Sequence, residues 1–139
     1  MAKTTGLSDY FSLTDSGSTE RDLSDNVQTY TLNSGQALQD TTDLSESAFS
    51  RLALLSDLSI NLTGVCDFAA NKSNAVLTTG TGTARTFVLA VGGNSGGNPK
   101  LTGTCLIQDY AISRGNDASL TFSATLQLSN GSMPAWGTV

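Results

Sequence analysis

Apart from its tyrosines, the ionisable chemistry of this 139-residue chain comes to twelve carboxylates, seven basic side chains and two cysteines, with no histidine. The acids include two close pairs, Asp22 with Asp25 and Asp40 with Asp43, and paired carboxylates are the residue set of glycoside hydrolysis. Both pairs lie among Ser and Thr, where an Asp oxygen serves above all as an acceptor for backbone N–H groups in turns and caps. Without histidine there is no Ser-His-Asp triad and no Cys-His pair, and no ordinary zinc ligand set. A Ser–Lys nucleophile would need Lys3, Lys72 or Lys100 beside a serine, and nothing in the spacing singles out such a pair. The glycine-rich stretches GTGT and GGNSGG lack the Lys and the strand–turn–helix setting of a phosphate loop. DSGSTE offers oxygen donors without the spacing of an EF-hand. Cys66 and Cys105 sit in apolar strand contexts with no neighbouring base, as small core residues would, and the expectation is two buried, reduced thiols. The triplets at Asn61 and Asn71 match the N-glycosylation pattern, which has a consequence only in a secreted chain. The expectation is a protein that is not an enzyme and uses no metal and no cofactor.

Composition points to what such a chain does build. Ser, Thr and Gly dominate, and charged residues make up 14%, against about 25% in an average soluble domain. That favours strands and turns over helix surfaces. The net charge is −5, and Lys3, Arg21, Arg51, Lys72, Arg85, Lys100 and Arg114 are scattered without a stripe. A nucleic-acid binder gathers phosphate-neutralising charge in one place, so this surface repels DNA rather than gripping it. No apolar run is long enough to cross a bilayer, and MAKTTGLSDYF has no apolar h-region of a secretory signal. The expectation is a single domain over residues 1–139, made in a cytoplasm and with no membrane partner.

The elements follow from pattern. Tyr10, Phe11 and Leu13 make a short strand, DSGST a turn in which Gly17 supplies conformational freedom, and Val27, Tyr30 and Leu32 a continuing strand. Residues 33–56 lose all periodicity and are expected to be a long loop or arm, with a helical turn through Ala48–Arg51 signalled by the capping-box spacing of Asp43 and Glu46. Loops this long are uncommon in compact domains unless they are functional, and Ala37, Leu38, Leu44 and Phe49 argue against a disordered linker. Two readings stay open: an arm that packs on another subunit, carried by Gln36, Ala37, Leu38, Asp40, Thr41, Asp43 and Leu44, or a segment folded back on its own domain. Asp67 is placed to cap a short helix over AANKSNAVL. TARTFVLAVGG reads as a strand, GGNSGGNP as a flexible connection, and KLTGTCLIQDYAISRG as a strand alternating through Leu101, Gly103, Cys105 and Ile107 before its phase blurs. The apolar ending MPAWGTV, within residues 129–139, is expected to dock rather than hang free. Six or seven strands with one flanking helix imply an all-β domain of β-sandwich or barrel-like form.

Two strands carry the functional signal. In LTFSATLQL, Leu120, Phe122, Ala124, Leu126 and Leu128 face a core while Thr121, Ser123, Thr125 and Gln127 face away. In LSINLTG, Leu58, Ile60 and Leu62 oppose Ser59, Asn61 and Thr63. A strand that meets bulk water usually carries charges that stop it pairing with other chains; these carry none. Such positions suit pairing with identical subunits around an axis, or the wet, weakly repulsive wall of a channel they enclose.

The same segments resemble a known family. YFSLTDSGSTERDLSDNVQTYTLNS is similar to the N-terminal strand–turn–strand of siphophage major tail tube proteins. LALLSDLSINLTGVCDFAANKSNAVL resembles that family's central strand and short helix, and CLIQDYAISRGNDASLTFSATLQLSNGSMPAW its last two strands and closing Pro and Trp. The resemblance spans nearly the whole chain in order, with no single fingerprint motif, and the two cysteines are not part of it. It implies a small β-sandwich that forms rings of six, stacked into a hollow tail tube of the virion. The genome crosses that tube as transit cargo, and the tube meets tail terminator, tail-tip and tape measure proteins. The long arm would reach a neighbour or the next ring. Two alternatives share the composition: a virion-surface or carbohydrate-binding β-sandwich module, and an injection-tube protein of a bacterial contractile or secretion system. Aromatics, which binding modules present on loops, are only 6% here and lie mostly in strands.

Overall fold

The computed structural model describes residues 5–79 and 82–139; the first four residues of the N-terminal stretch and the first half of GTGT lie outside them. The chain forms strands β1 (Tyr10–Thr14), β2 (Glu20–Asp22), β3 (Val27–Asp40) and β4 (Arg51–Val65), then helix α1 (Ser73–Thr78), and strands β5 (Arg85–Ala90), β6 (Pro99–Arg114), β7 (Leu120–Leu128) and β8 (Trp136–Thr138). All pairings are antiparallel, in one eight-stranded sheet of order β2-β1-β5-β6-β7-β4-β3, with β8 on β6. The all-β class with one short helix is as expected; the two layers of the sandwich are halves of one sheet. Strand β6 makes this possible. Its first part, Lys100–Cys105, pairs with β5, and its second part, Cys105–Arg114, pairs with β7. A strand that changes partners in this way turns the corner between packed layers.

The inward residues of both halves meet in one core: Phe11 and Leu13 of β1, Phe87 and Leu89 of β5, Ile60 and Leu62 of β4, Phe122 and Leu126 of β7, with Val76 and Leu77 of α1. The helix is seated by remote groups. Its first N–H donates to Asn26 Oδ1 at 3.2 Å, and the Ser73 hydroxyl accepts from Asp67 N–H at 3.1 Å. Asp67 is therefore not the N-cap; Lys72 occupies that position, and Asp67 Oδ1 instead accepts from Ala69 N–H. At the other end the buried Arg85 guanidinium donates to Thr79 O at 2.8 Å and Thr14 O at 3.1 Å, tying helix and β1 together. Gly64 is where β4 passes the start of β3, and a Cβ there would overlap the Asn26 carbonyl oxygen.

Several expectations are corrected. The segment 33–56 is not a loop: β3 and β4 continue as a paired ribbon from Asn33–Ser59 out to Asp40–Arg51, leaving only residues 41–50 to turn. No helical turn forms at Ala48–Arg51, because Arg51 opens β4. Asp43 and Glu46 make one of the two capping-box bonds, Asp43 N–H to Glu46 Oε1; the Glu46 N–H goes to the Asp43 main-chain O, and the Asp43 side chain bonds Ser45, forming a turn. In DSGST the left-handed residue is Ser18 (φ 62°), not Gly17. The segment GGNSGGNP is tied rather than loose: Asn98 Nδ2 donates to Gly93 O, and Gly97 N–H to Val139 O. Cys105 is buried and Cys66 only partly so; both are free thiols. The ending does dock, through β8 on Pro99–Leu101, although Trp136 stays half exposed.

Candidate functional site

The register of the sheet gathers the polar residues of separate strands onto one face. Thr63 pairs with Ser123, Asn61 with Thr125 and Ser59 with Gln127, so the seven residues expected on β4 and β7 stand side by side, Thr121 opposite Val65 completing the row. The face extends beyond them. On β3, Thr29, Thr31 and Asn33 pair with Thr63, Asn61 and Ser59; on β6, Asp109 and Ala111 pair with Thr125 and Ser123. The alternation of Thr29, Thr31 and Asn33 against the core-packed Tyr30 and Leu32 is a sequence signal that would have added β3. Gln108 and Asp109 were hidden by a bulge: between Ile107 and Asp109 the register shifts by one residue, so the inward set continues as Tyr110 and Ile112.

The face is held by its own side chains. Thr125 Oγ1 donates to Asn61 Oδ1 at 3.1 Å, Gln127 Nε2 to Gln108 Oε1 at 2.8 Å, and the Thr29 and Thr63 hydroxyls bond each other. Cross-strand polar pairs of this kind stiffen a sheet surface and fix its side chains. Along Thr29–Gly35, Asp57–Val65, Leu106–Ser113 and Leu120–Leu128 there is no Lys or Arg, and the charges are Asp57 and Asp109. Both borders of this four-stranded layer are open. The outer edge of β3 has no strand partner among the described residues, nor does β6 over Leu106–Arg114 on the side away from β7.

The ribbon projects from the top of that layer. β7 reaches only to Ser59 on β4, so residues 35–40 and 51–57 have each other as their only strand partners among the described residues, a length of about 20 Å at ~3.3 Å per residue. Side chains there are solvent-facing, among them Leu38, Leu52, Leu54 and Leu55. At the tip Leu44 is wholly exposed and Phe49 is 72% exposed, with Arg51 over the Phe49 ring at 5.1 Å. The tip is ordered by polar bonds: Ser50 N–H to Thr42 Oγ1 at 2.7 Å, Thr42 N–H to Asp40 Oδ1 at 3.0 Å and Ser45 N–H to Asp43 Oδ1 at 2.9 Å. The Thr42 N–H holds the Asp40 carboxyl below its usual range, and the Ser45 hydroxyl, donating to Asp43 Oδ1 at 2.6 Å, does the same for Asp43 together with the Ser45 N–H. Of the expected arm residues, Gln36, Ala37, Leu38 and Asp40 lie on the ribbon and Thr41, Asp43 and Leu44 at its tip. None folds back against the body's core.

The carboxylate pairs and cysteines singled out in the sequence have the following surroundings. Asp25 holds Lys72 at 2.8 Å, and Asp22 accepts from Ser24 N–H at 2.9 Å. Asp15 receives Gly17 and Thr19 N–H on one oxygen and Arg21 on the other, and the Arg21 guanidinium holds its carboxyl below the usual range. Burial pushes the Cys105 thiol up to about 12, which leaves it protonated and unreactive at neutral pH. No group of three or more metal-ligating side chains is found among the described residues, and no helix among them is long and apolar enough to cross a membrane.

No family model matches the chain, and no curated protein matches it. Solved structures do. The chain is similar to the tail of an empty gene transfer agent (GTA) particle with C6 symmetry, with TM-score 0.72, 14% identity and 99% of each chain covered. It is similar to the SPP1 tail tube, with TM-score 0.74, 13% identity, and 99% of this chain and 80% of that one covered. A protein of the native GTA virion aligns with TM-score 0.71 and 12% identity over 99% of both chains. The fold, over 99% of the chain, is similar to that of these tail and virion proteins.

Proposed function

We propose that this protein is the structural subunit of a phage-type tail tube: a homo-oligomer of stacked six-membered rings through which DNA leaves the particle. The observation that carries this reading is a four-stranded layer, β6-β7-β4-β3, whose two borders are unpaired strand edges and whose outer face is polar and free of basic residues. Two such edges on one molecule are complementary. The strands alternate in direction, so β3 of one copy laid against β6 of the next continues the antiparallel alternation. This is a head-to-tail contact that closes when the rotation closes, and closure removes the edges that would otherwise aggregate.

The C6 symmetry of the similar GTA tail supports six copies. Four strands from each of six copies, about 4.8 Å apart and tilted by about 40°, close a barrel roughly 50 Å across its backbone. That leaves room for a duplex once side chains are added. Its lining would be the Ser, Thr, Asn and Gln face with Asp57 and Asp109. Such a wall is hydrated and mildly repulsive, and it offers phosphates no counter-charge to release, so DNA is cargo rather than ligand.

The ribbon supplies the contact between rings. It projects along the strand direction with an ordered, apolar tip that its own body leaves uncovered, and so reaches the neighbouring ring. Tail terminator, tail-tip and tape measure proteins are the partners such a tube requires at its ends and in its bore, assembly taking place in the host cytoplasm. The virion-surface module and the bacterial injection tube share the fold class; the open complementary edges favour a tube over the former.

Negative-stain electron microscopy of the purified, concentrated protein, with a light-scattering mass, tests the reading. Hollow tubes or rings with a central pore are expected. A species that stays monomeric even when supplied with tail-tip complexes would overturn it.

A further inference from the structure

We infer that Asn130 and Gly131 form a site of self-catalysed backbone modification, at which the asparagine side chain cyclises onto the main chain and opens again as aspartate or isoaspartate. The chain has nine asparagines, and this is the single one followed by glycine. That matters because the attacking group is the N–H of the next residue, and any side chain there hinders its approach. The fold leaves the pair open. Both residues are exposed in the connection between β7 and β8, and an added Cβ at Gly131 would meet nothing within 4 Å.

The local geometry points the right way. Asn130 Oδ1 accepts the Ser132 N–H at 3.3 Å, folding the side-chain amide back over the Gly131 peptide. The same hydrogen bond draws electron density from Cγ and stabilises negative charge on its oxygen. Gly131 has a φ of +75°, so the turn is one that glycine alone adopts without strain. Other asparagines are less well placed. Asn33 and Asn61 lie within paired strands, Asn26 is buried, and Asn98 is followed by Pro99, which has no N–H. Asn94 and Asn116 are exposed, but Ser95 and Asp117 follow them.

The step balances with solvent alone. Gly131 N forms a bond to Asn130 Cγ as the Cγ–Nδ2 bond breaks, and Nδ2 leaves as ammonia with the proton from Gly131 N. Water then opens the cyclic imide at one carbonyl or the other. Opening at the former side-chain carbonyl gives aspartate; opening at the main-chain carbonyl gives isoaspartate, with one more methylene in the backbone. Either product adds a carboxylate beside the groove at the foot of the ribbon, about 560 Å³ in volume, whose walls include Leu54, Leu55, Asp57, Gly131 and Met133.

The test is peptide mapping by mass spectrometry of the full-length protein held at mildly alkaline pH, with enzymatic methyl-labelling of isoaspartate. Conversion should appear first at position 130, be absent in Asn130→Gln and slow several-fold in Gly131→Ala. It should also run at least as fast in the native protein as in urea, because the fold presents the turn. The inference is overturned if Asn94 or Asn116 converts ahead of Asn130. Marked acceleration on unfolding would overturn it as well, since the fold would then be protecting the site.

Discussion

Removing the ribbon separates what folds the molecule from what assembles it. Replacing residues 36–56 by a two-residue turn joins Gly35 to Asp57, which already face each other across the ladder. No residue of the core cluster lies in the deleted stretch; the cluster resumes at Leu58. The shortened chain should therefore keep its circular-dichroism spectrum and melt within about 1 kcal/mol of the parent, as surface changes generally do. Assembly is another matter. Leu38, Leu44, Phe49, Leu52, Leu54 and Leu55 together leave the equivalent of about four whole apolar side chains in solvent. At about 1.5–3 kcal/mol per buried side chain, covering half of that surface contributes about 3–6 kcal/mol per arm. That corresponds to a factor of about 10² to 10⁴ in association constant. Sedimentation and electron microscopy across a concentration series should show tubes of the parent protein, and none of the shortened chain until concentrations at least a hundredfold higher, rings remaining possible. Tubes forming at the parent's concentration would refute the role given to the arm; collapse of the melting transition would refute its independence from the body.

Other substitutions probe other links. Thr125→Lys places a cation on the polar face beside Asn61; its monomer should melt like the parent, while assembled particles should release DNA more slowly in an ejection assay or fail to close rings. Unchanged assembly and ejection would mean the face meets plain solvent. Gly64→Ala drives a methyl into the Asn26 carbonyl and towards the Phe122 ring, and should cost about 3 kcal/mol or more in chemical denaturation. The Cys105 thiol, lifted by burial from 9.0 to about 12, ionises more readily unfolded than folded, so its contribution to stability should be constant from neutral pH up to about pH 9 and decline as pH climbs towards 12. In Cys105→Ala that decline should begin only above pH 10, where Tyr30 and Tyr110, both lifted by burial to about 12, start to favour the unfolded chain. Urea titrations at stepped pH read both limbs.

What the sequence disclosed depended on whether a core was present to impose a period. β4 from Leu58 to Leu62, and β7 throughout, alternate cleanly because one side is packed and the other is wet, and both were legible with their faces correct. β6 was legible up to Ile107 and then lost, because the bulge at Gln108 exchanges odd for even. The ribbon was illegible as strand for the opposite reason: with both sides in solvent no alternation is selected, and its hydrogen-bond ladder leaves no trace in side-chain pattern. Its irregularity still marked it as unusual, and its apolar residues argued against a disordered linker. The helix start was misplaced because the side chain that accepts its first N–H, Asn26, lies 47 residues away; no local signal could show it. Of the polar face, the β4 and β7 positions were found from alternation, whereas the union of four strands into one surface required the register.

The passage of β6 from one layer into the other has a mechanical consequence. In a sandwich whose layers meet only through side chains, one layer can slip over the other by rearranging dispersion contacts. Here slip is opposed by a continuous main chain that is hydrogen-bonded to β5 above Cys105 and to β7 below it. Load applied to the wall strands passes along covalent backbone into the outer layer and is shared between two ladders. A cylinder assembled from such units resists shear within each brick and yields first at the seams between them, so that it bends at its joints while its bore keeps its diameter.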